Sequence, residues 1–156
     1  MEIESLLNPA LIKIDENLKT QKDVFARIAE LAVVGGIASS KRRIVKGLLA
    51  REKEGTTGFL DGFAIPHTQV KDVLKPGIVI VRTMEGVEWQ SMDGKPIRFT
   101  IALFVPEREA GSTHLTLLAS LSRMLVHEEA RERLLAAESA QEVYEQLRMA
   151  LAATTD

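Results

Sequence analysis

Three histidines are the residues of this chain best suited to acid, base or nucleophilic chemistry near neutral pH: His67, His114 and His127. His67 directly follows a proline that ends the apolar run 63–65, inside the glycine-punctuated stretch 58–67. Because proline has no N–H for a sheet ladder, the pattern predicts a strand that stops there, with His67 just beyond its end. Ligands usually bind at such strand ends when helices cover the sheet, so His67 is the leading candidate for a reactive group. A surface or structural histidine is the alternative.

His114 is the second candidate, because it shares one helix face with Leu117, Leu118 and Leu121 at three- and four-residue steps. It therefore points inward near the start of a helix. The helix dipole there favours a bound anion and a neutral imidazole that donates one hydrogen bond. The alternative is a satisfied core histidine.

Arg51 is the third candidate, since it lies seven residues after Ile44 and three after Leu48, on the buried edge of a helix near its C-terminal end. A fixed guanidinium fork suits two oxygens of a phosphoryl group. A snorkelling arginine that complements the helix dipole is the alternative. We interpret the other basic groups, including those at 41–43, as a solvated helix face.

The elements that must position these residues are predicted from periodicity and turn signals. Two helices precede the central stretch, one capped by Thr20 and ended by Gly35-Gly36, the other capped by Ser40. Strands are predicted at 11–15, 63–65, 78–82 and 97–105, with a short edge strand at 87–89. Three helices follow from Ser112 onward, at 115–126, at 128–136 and after a Ser139/Glu142 capping box. The predicted fold is α/β, a single domain over residues 1–156 with a mixed sheet of about five strands sandwiched between helices on both faces.

Composition argues against several classes of function. The 156 residues carry a formal charge of −2, which offers no broad attraction for nucleic acid or an anionic membrane. There is no cysteine, so disulfides, thiolate catalysis and cysteine-ligated zinc are excluded. The start lacks a basic signal-peptide region, and no apolar run approaches the roughly 20 residues that span a bilayer. We therefore expect a cytoplasmic protein without membrane insertion.

Cofactor motifs are also missing from the sequence. It contains no phosphate loop, no dinucleotide-binding glycine pattern, no nucleophile elbow and no His-Glu-x-x-His. The three histidines are far apart in sequence, so a metal site would need long-range assembly. We expect neither a cofactor nor a metal.

Three ordered groups of residues carry a resemblance to a known family. They are Arg51-Glu52…Gly55-Thr56-Thr57-Gly58…Gly62-Phe63-Ala64-Ile65-Pro66-His67, then Trp89…Met92-Asp93-Gly94-Lys95-Pro96-Ile97, then Val105-Pro106-Glu107…His114-Leu115. In order and spacing they resemble the enzyme IIA domain of the fructose/mannitol type in the bacterial phosphoenolpyruvate-dependent sugar phosphotransferase system. That family includes nitrogen-regulatory relatives, and the resemblance covers nearly the whole chain.

The resemblance implies a phosphotransferase component. His67 would accept a phosphoryl group from the phosphohistidine of HPr, through Nε2 by family expectation. It would pass the group to the cysteine of a IIB domain, feeding sugar uptake through a IIC membrane permease. An arginine matching Arg51 and a second histidine matching His114 line the family's active site, with Thr68 and Ser112 as supporting residues here. Thr68 departs from the family, where glycine is common, and its hydroxyl would add a phosphate donor or narrow the backbone beside His67.

Two alternatives to sugar transport stay open. One is a nitrogen-type regulatory protein, in which phosphorylated and unphosphorylated forms bind different partner proteins. The other is a purely structural domain on the same fold, as in the cytoplasmic domains of anion exchangers. The groups at 89–96 and 111–114 are closer to the sugar-specific members, which favours transport. Phe59, Leu60 and Phe63 are candidates for a partner-docking surface, with core packing as the alternative for Phe63.

Overall fold

The secondary structure follows the order expected from the sequence. A computed structural model describes residues 3–109 and 111–153. After two short 3-10 turns the strands are β1 (Ile12–Glu16), β2 (Phe63–Ala64), β3 (His67–Thr68), β4 (Gly77–Val87) and β5 (Ile97–Phe104). The helices are α1 (Gln21–Val34) and α2 (Lys41–Glu54), between β1 and β2, and α3 (Ser112–Val126), α4 (Glu128–Ala136) and α5 (Ala140–Ala153), after β5.

Side-chain caps fix where three of these helices begin. The hydroxyl of Thr20 accepts from the backbone N–H of Asp23 at 3.1 Å, and that of Ser40 accepts from Arg43 at 3.2 Å. Ser139 caps α5 in the same way, accepting from the N–H of Glu142 at 3.0 Å. Each bond satisfies an amide that has no partner inside its own helix. The predicted caps are confirmed.

The sheet is mixed, which confirms the predicted fold class. Its order is β1-β4-β5-β2, with β3 also paired to β5. The long central strands β4 and β5 are antiparallel, whereas β1 runs parallel to β4 and both β2 and β3 run parallel to β5. The chain is an α/β domain whose five strands lie between two helical layers.

As predicted, β2 ends before Pro66 and His67 lies beyond its end, but the sequence did not indicate that sheet pairing resumes at His67 in β3. Phe63 pairs with Phe99 in β2, and His67 pairs with Leu103 in β3, so both segments lie along the same edge of β5. Pro66 has no N–H to donate, but its carbonyl still accepts from the N–H of Leu103 at 2.9 Å. The proline therefore interrupts one edge strand without ending it.

The predicted edge strand at 87–89 was wrong. Val87 is the last residue of β4 and pairs with Ile97 after a register shift. Trp89 lies beyond the strand, where its ring makes an edge contact with Phe25 of α1 at 5.2 Å between centroids. The apolar residues at 87–89 are therefore explained by burial of the Trp89 indole against α1, and not by a further strand.

Two apolar cores lie on opposite faces of the sheet. Val79 and Val81 of β4 face the core that includes α1 and α2, while Ile78 and Ile80 face the core that includes α3, α4 and α5. This alternation is the period of a strand covered on both sides. Phe63 is fully buried against Phe99, so it packs in the core and is not a docking residue. Within residues 3–109 and 111–153, no helix combines the length and the apolar character needed to cross a bilayer.

Candidate functional site

His67 lies in a surface cavity of about 890 Å³ at the edge of the sheet. One wall is a face of α2 that includes Gly47 and Arg51, and β3 and the start of α3 supply His67, Thr68 and His114. The interrupted edge strand is what brings the imidazole here, because pairing resumes on the far side of Pro66. Residues about fifty positions apart in sequence thus share one cavity.

The hydrogen bonds of the His67 ring define its tautomer. Nδ1 lies 2.8 Å from the carbonyl oxygen of Ile65, and a carbonyl can only accept, so Nδ1 carries the hydrogen. Nε2 lies 3.0 Å from Nε of Arg51, and a guanidinium can only donate, so Nε2 is unprotonated. The unprotonated nitrogen of the ring is therefore the one that accepts from Arg51.

The electrostatics keep this imidazole neutral. Burial is the main reason that the pKa of His67 is lowered to about 4. The hydrogen bond to Ile65 raises this pKa, whereas the positive charge of Arg51 lowers it further. The side chain is 8% exposed, so a positive charge there would be poorly solvated. At neutral pH the ring is uncharged and its Nε2 is nucleophilic.

His114, the third residue of α3, lies beside His67. The two ring centroids are 5.1 Å apart and the ring planes are inclined by 50°. Burial, and then the charge of Arg51, lower the pKa of His114, so this ring is also kept neutral. Its Nδ1 is buried and has no hydrogen-bond partner among the residues that the structure describes. The inward orientation expected from the sequence is confirmed. The alternative interpretation, a core histidine with its hydrogen bonds satisfied, does not fit the unpartnered Nδ1.

Arg51 makes one hydrogen bond into the cavity and one to the end of its own helix. Its Nε donates to His67, while its Nη1 donates to the carbonyl oxygen of Gly55 at 2.7 Å, just past the end of α2. The second bond satisfies a carbonyl near the helix end and restricts the side chain. The two hydrogen bonds thus fix the position of the guanidinium beside His67.

Thr68 and Ser112 differ in their placement. Thr68 is buried on the cavity wall, and its Oγ1 lies so close to Gly47 that a Cβ built on that glycine would be 2.6 Å away. Ser112 is exposed at the first residue of α3 and is not on the cavity wall. Its carbonyl accepts from the hydroxyl of Thr116 at 2.8 Å. Four of the five predicted site residues therefore come together, and Ser112 lies outside them.

Sequence reasoning missed the basic residues on the α2 wall. Arg42, Arg43 and Lys46 line the cavity although they are exposed, as a solvated face would be. Positions 43, 47 and 51 are four residues apart and so share one helix face, which the spacing alone could have indicated. Across the part of the chain that the structure describes, no group of three potential ligand residues is placed to hold a metal ion.

Comparison with known proteins gives a consistent result. Residues 5–149 match the profile of the family described as "Phosphoenolpyruvate-dependent sugar phosphotransferase system, EIIA 2". A fructose-specific EIIA component from Haloferax volcanii is 36% identical over 146 residues, which is 94% of each chain. The crystal structure of the nitrogen regulatory protein IIA-Ntr from Neisseria meningitidis superposes with a TM-score of 0.86 and 32% identity, over 93% of this chain and 98% of that one.

A second similar structure is a complex. It contains enzyme IIAMTL and phosphorylated enzyme IIBMTL from Escherichia coli, and its matching chain has a TM-score of 0.76 and 27% identity. The match covers 94% of this chain and 97% of that chain.

Proposed function

Because the chain belongs to the EIIA 2 family of the phosphoenolpyruvate-dependent sugar phosphotransferase system, we propose that His67 is a transient phosphoryl carrier. The observation that carries the proposal is the hydrogen bond from Arg51 to Nε2 of His67. This bond shows that Nε2 of a neutral imidazole is unprotonated and faces the basic cavity wall formed by α2.

The transfer step needs no general base. Nε2 of His67 attacks the phosphorus of a phosphohistidine on the donor, so a new N–P bond forms while the donor's N–P bond breaks. The donor ring keeps a hydrogen on its other nitrogen, so it leaves as a neutral imidazole with the electron pair of the broken bond, and the positive charge that it carried passes to the ring of His67. The hydrogen of His67 stays on Nδ1, where Ile65 accepts it. Nothing needs to move a proton at the reacting nitrogen.

The remaining residues stabilise charge. The transition state of phosphoryl transfer is loose and spreads negative charge over three peripheral oxygens. Once the Nε2 lone pair is used in the new bond, the guanidinium of Arg51 turns from the ring to those oxygens. His114, whose Nδ1 has no partner in the described structure, donates to the phosphoryl group. Thr68 contributes its hydroxyl to the cavity wall.

The proposed donor is phospho-HPr, and the proposed acceptor is the cysteine of a IIB domain, which serves a IIC permease. In the second step the cysteine thiolate attacks phosphorus, an S–P bond forms and the N–P bond at His67 breaks. The solved complex between mannitol enzymes IIA and IIB supports a direct encounter of this kind. A phosphoprotein donor makes a nucleotide or metal unnecessary, and such a carrier operates in the cytoplasm.

A regulatory role is the second candidate. The structural similarity to the nitrogen regulatory protein from Neisseria meningitidis favours it. The fructose-specific relative and the residues at 89–96 favour transport, which we place first. A purely structural domain is the least favoured, because it would not need His67, Arg51 and His114 around one cavity.

Incubation with phosphoenolpyruvate, enzyme I and HPr tests the carrier function. We expect one acid-labile, base-stable phosphoryl group on the peptide that contains His67, detected by mass spectrometry. His67→Ala should gain none, while His127→Ala, which changes an exposed histidine, should gain one. Labelling of His67→Ala, or no labelling of the wild type, would refute the mechanism. Passage of the label to a purified fructose-type IIB domain would support transport, whereas label retained on His67 would support regulation.

A further inference from the structure

The carboxylate of Glu52, the residue after Arg51 in α2, turns back onto the loop that follows the helix. Its Oε1 accepts from the backbone N–H of Thr57 at 3.1 Å and also from the hydroxyl of Thr57, while its Oε2 lies 3.3 Å from the same N–H. Thr57 is buried, so these polar hydrogens have little access to water. Hydrogen bonds to an ionised group are stronger than those between neutral groups, so Glu52 holds Thr57 firmly.

Thr57 is bonded in turn to the residue that fixes the tautomer of His67. The carbonyl oxygen of Thr57 accepts from the N–H of Ile65 at 3.1 Å, and the carbonyl oxygen of Ile65 lies 2.8 Å from Nδ1 of His67. The segments 57–59 and 63–65 are paired here, with an antiparallel bridge between residues 58 and 64. A short ladder therefore links the carboxylate of Glu52 to the imidazole.

This link transmits position and not charge. The N–H and the carbonyl of Thr57 belong to different peptide groups, as do those of Ile65, so the hydrogen bonds do not form one polarised chain. The acidic residue of this turn whose charge raises the pKa of His67 is Glu54, which lines the cavity. Glu52 is not among the described residues on the cavity wall. It therefore acts on the ring through the placement of the Ile65 carbonyl.

Two adjacent residues of α2 thus act on the two nitrogens of one ring. Arg51 donates to Nε2 directly, whereas Glu52 supports the acceptor of Nδ1 through Thr57 and Ile65. A displaced Ile65 carbonyl would let the ring turn or carry its hydrogen on Nε2. Either change removes the lone pair from the position where the phosphoryl group is received.

We propose that Glu52 is a positioning residue for phosphoryl transfer: it holds the loop 57–65 so that the Ile65 carbonyl keeps the hydrogen of His67 on Nδ1 and the lone pair on Nε2. The inference rests on the proposed carrier function and adds to it a residue that lies behind the loop and outside the cavity.

Two conservative variants separate position from charge. Glu52→Gln keeps the length of the side chain and an oxygen that accepts from Thr57, but it loses the charge. Glu52→Asp keeps the charge, but it is shorter by one methylene and so loses its hold on Thr57. The donor is phosphoramidate, a small molecule that phosphorylates imidazole directly while its own P–N bond breaks and ammonia leaves.

We expect phosphorylation of His67 to be about 10-fold slower in Glu52→Asp than in wild type, and closer to wild type in Glu52→Gln. The matched control is Glu142→Asp, which shortens a carboxylate that accepts from the backbone N–H of Glu138 at the start of α5. The control should lose some stability in urea unfolding and keep the wild-type rate. The reverse order of the two Glu52 variants, wild-type rates for both, or an equal fall in the control would overturn the proposal.

The tautomer of His67 provides a readout that a loss of stability alone does not change. In Arg51→Ala the bond to Nε2 is lost, so the Ile65 carbonyl is the remaining hydrogen-bond partner described for the ring. NMR of the ring nitrogens at neutral pH should show mainly the Nδ1–H tautomer in Arg51→Ala, and a mixture with the Nε2–H tautomer in Arg51→Ala/Glu52→Asp. Identical spectra would refute the positioning role.

The NMR measurement also separates this proposal from the carrier function, because it needs no phosphoryl donor. If neither phosphoramidate nor phospho-HPr phosphorylates the wild type, the carrier function fails, whereas the spectra still test whether Glu52 places the ring.

Discussion

Nε of Arg51 donates a hydrogen bond to Nε2 of His67 over 3.0 Å. The lone pair of the candidate nucleophile therefore accepts from a group that is always positively charged. This contact joins the end of α2 to β3 and fixes the imidazole tautomer together with Ile65. It is incompatible with a proton on Nε2, because both groups would then be donors. Phosphorylation at Nε2 must displace it, which presents the guanidinium to the new phosphoryl oxygens.

Replacing Arg51 should slow transfer strongly while the fold persists. We expect Arg51→Ala to reduce the rate of His67 phosphorylation by phosphoramidate about 100-fold, because one preorganised donor to the transition state is lost. Loss of the bond to Gly55 should lower the free energy of unfolding by about 1 kcal/mol. Arg51→Lys should fall between, since an ammonium cannot form the planar fork.

Arg43→Ala is the matched control. The Arg43 side chain lines the same cavity, but within the described residues it makes only a long ion pair to Asp72 at 3.7 Å. With phosphoramidate as donor, docking does not contribute and Arg43→Ala should react nearly as fast as wild type. A wild-type rate for Arg51→Ala would show that the arginine only caps α2.

The lowered pKa of His67 predicts a particular pH dependence of stability. The unfolded ring binds a proton near its ordinary pKa of 6.5, whereas the folded ring does so only at about 4. As the pH falls through this window the unfolded state gains a proton that the folded state excludes, so stability is lost. Between about pH 7.5 and about pH 5 this loss should amount to about 2 kcal/mol.

Urea unfolding of wild type and His67→Gln measures the effect as a difference, which removes the titration of other groups. The free energy of unfolding of wild type should fall more steeply than that of His67→Gln as the pH is lowered. NMR of the ring nitrogens should show a neutral Nδ1–H tautomer throughout the same range. Equal slopes, or a ring that protonates near pH 6.5, would contradict the burial argument.

His114 should be dispensable for folding and required for fast transfer. Its Nδ1 is buried without a partner in the described structure, so an apolar ring of similar shape removes an unsatisfied group. We expect His114→Phe to keep or raise the free energy of unfolding, yet to slow phosphorylation of His67 about 10-fold or more. Partial recovery of the rate in His114→Gln would identify the missing group as a donor. Marked destabilisation of His114→Phe would instead indicate a core role.

The sequence supported the fold well where local signals were strong. The helices and central strands follow short-range signals. These are the caps at Thr20, Ser40 and Ser139, the β-branched run at 78–82 and the largely apolar run at 97–105. The edge strand around Pro66 was less predictable. Its second half is only two residues long and exists because β5 offers a parallel partner, which no local pattern encodes.

The sequence indicated which residues could form a site, but their roles stay predictions. Helical spacing singled out Arg51 and His114, the preceding proline singled out His67, and the family resemblance made all three the leading candidates. The structure places them around one cavity. The roles of the two nitrogens of His67 depend on distances to Ile65 and Arg51, and these require coordinates. The basic wall of α2 was missed because exposure of a side chain says nothing about which neighbouring surface it borders.

The contact between Gly47 and Thr68 should make α2 sensitive to a single methyl group. A Cβ at Gly47 would lie 2.6 Å from Oγ1 of Thr68 and 3.1 Å from a methyl carbon of Val70. Overpacking of this kind destabilises by about 1 to 3 kcal/mol, against a gain of about 1 kcal/mol from replacing glycine inside a helix. The unfavourable effect is the larger, so we expect Gly47→Ala to lower the free energy of unfolding by up to about 2 kcal/mol.

A double-mutant cycle shows whether Thr68 is the group that resists the methyl. Thr68→Ala removes the hydroxyl, so Gly47→Ala should be better tolerated in that background, with a coupling of about 0.5 kcal/mol or more in urea unfolding. Thr68→Val keeps the branched shape without the hydroxyl, so slower phosphorylation of this variant at unchanged stability would identify the hydroxyl as a phosphate donor. Wild-type rates for Thr68→Val, with the Gly47 coupling intact, would limit Thr68 to spacing α2 from β3. The rate of Thr68→Val therefore decides whether the hydroxyl is the phosphate donor that the departure from glycine at position 68 suggested.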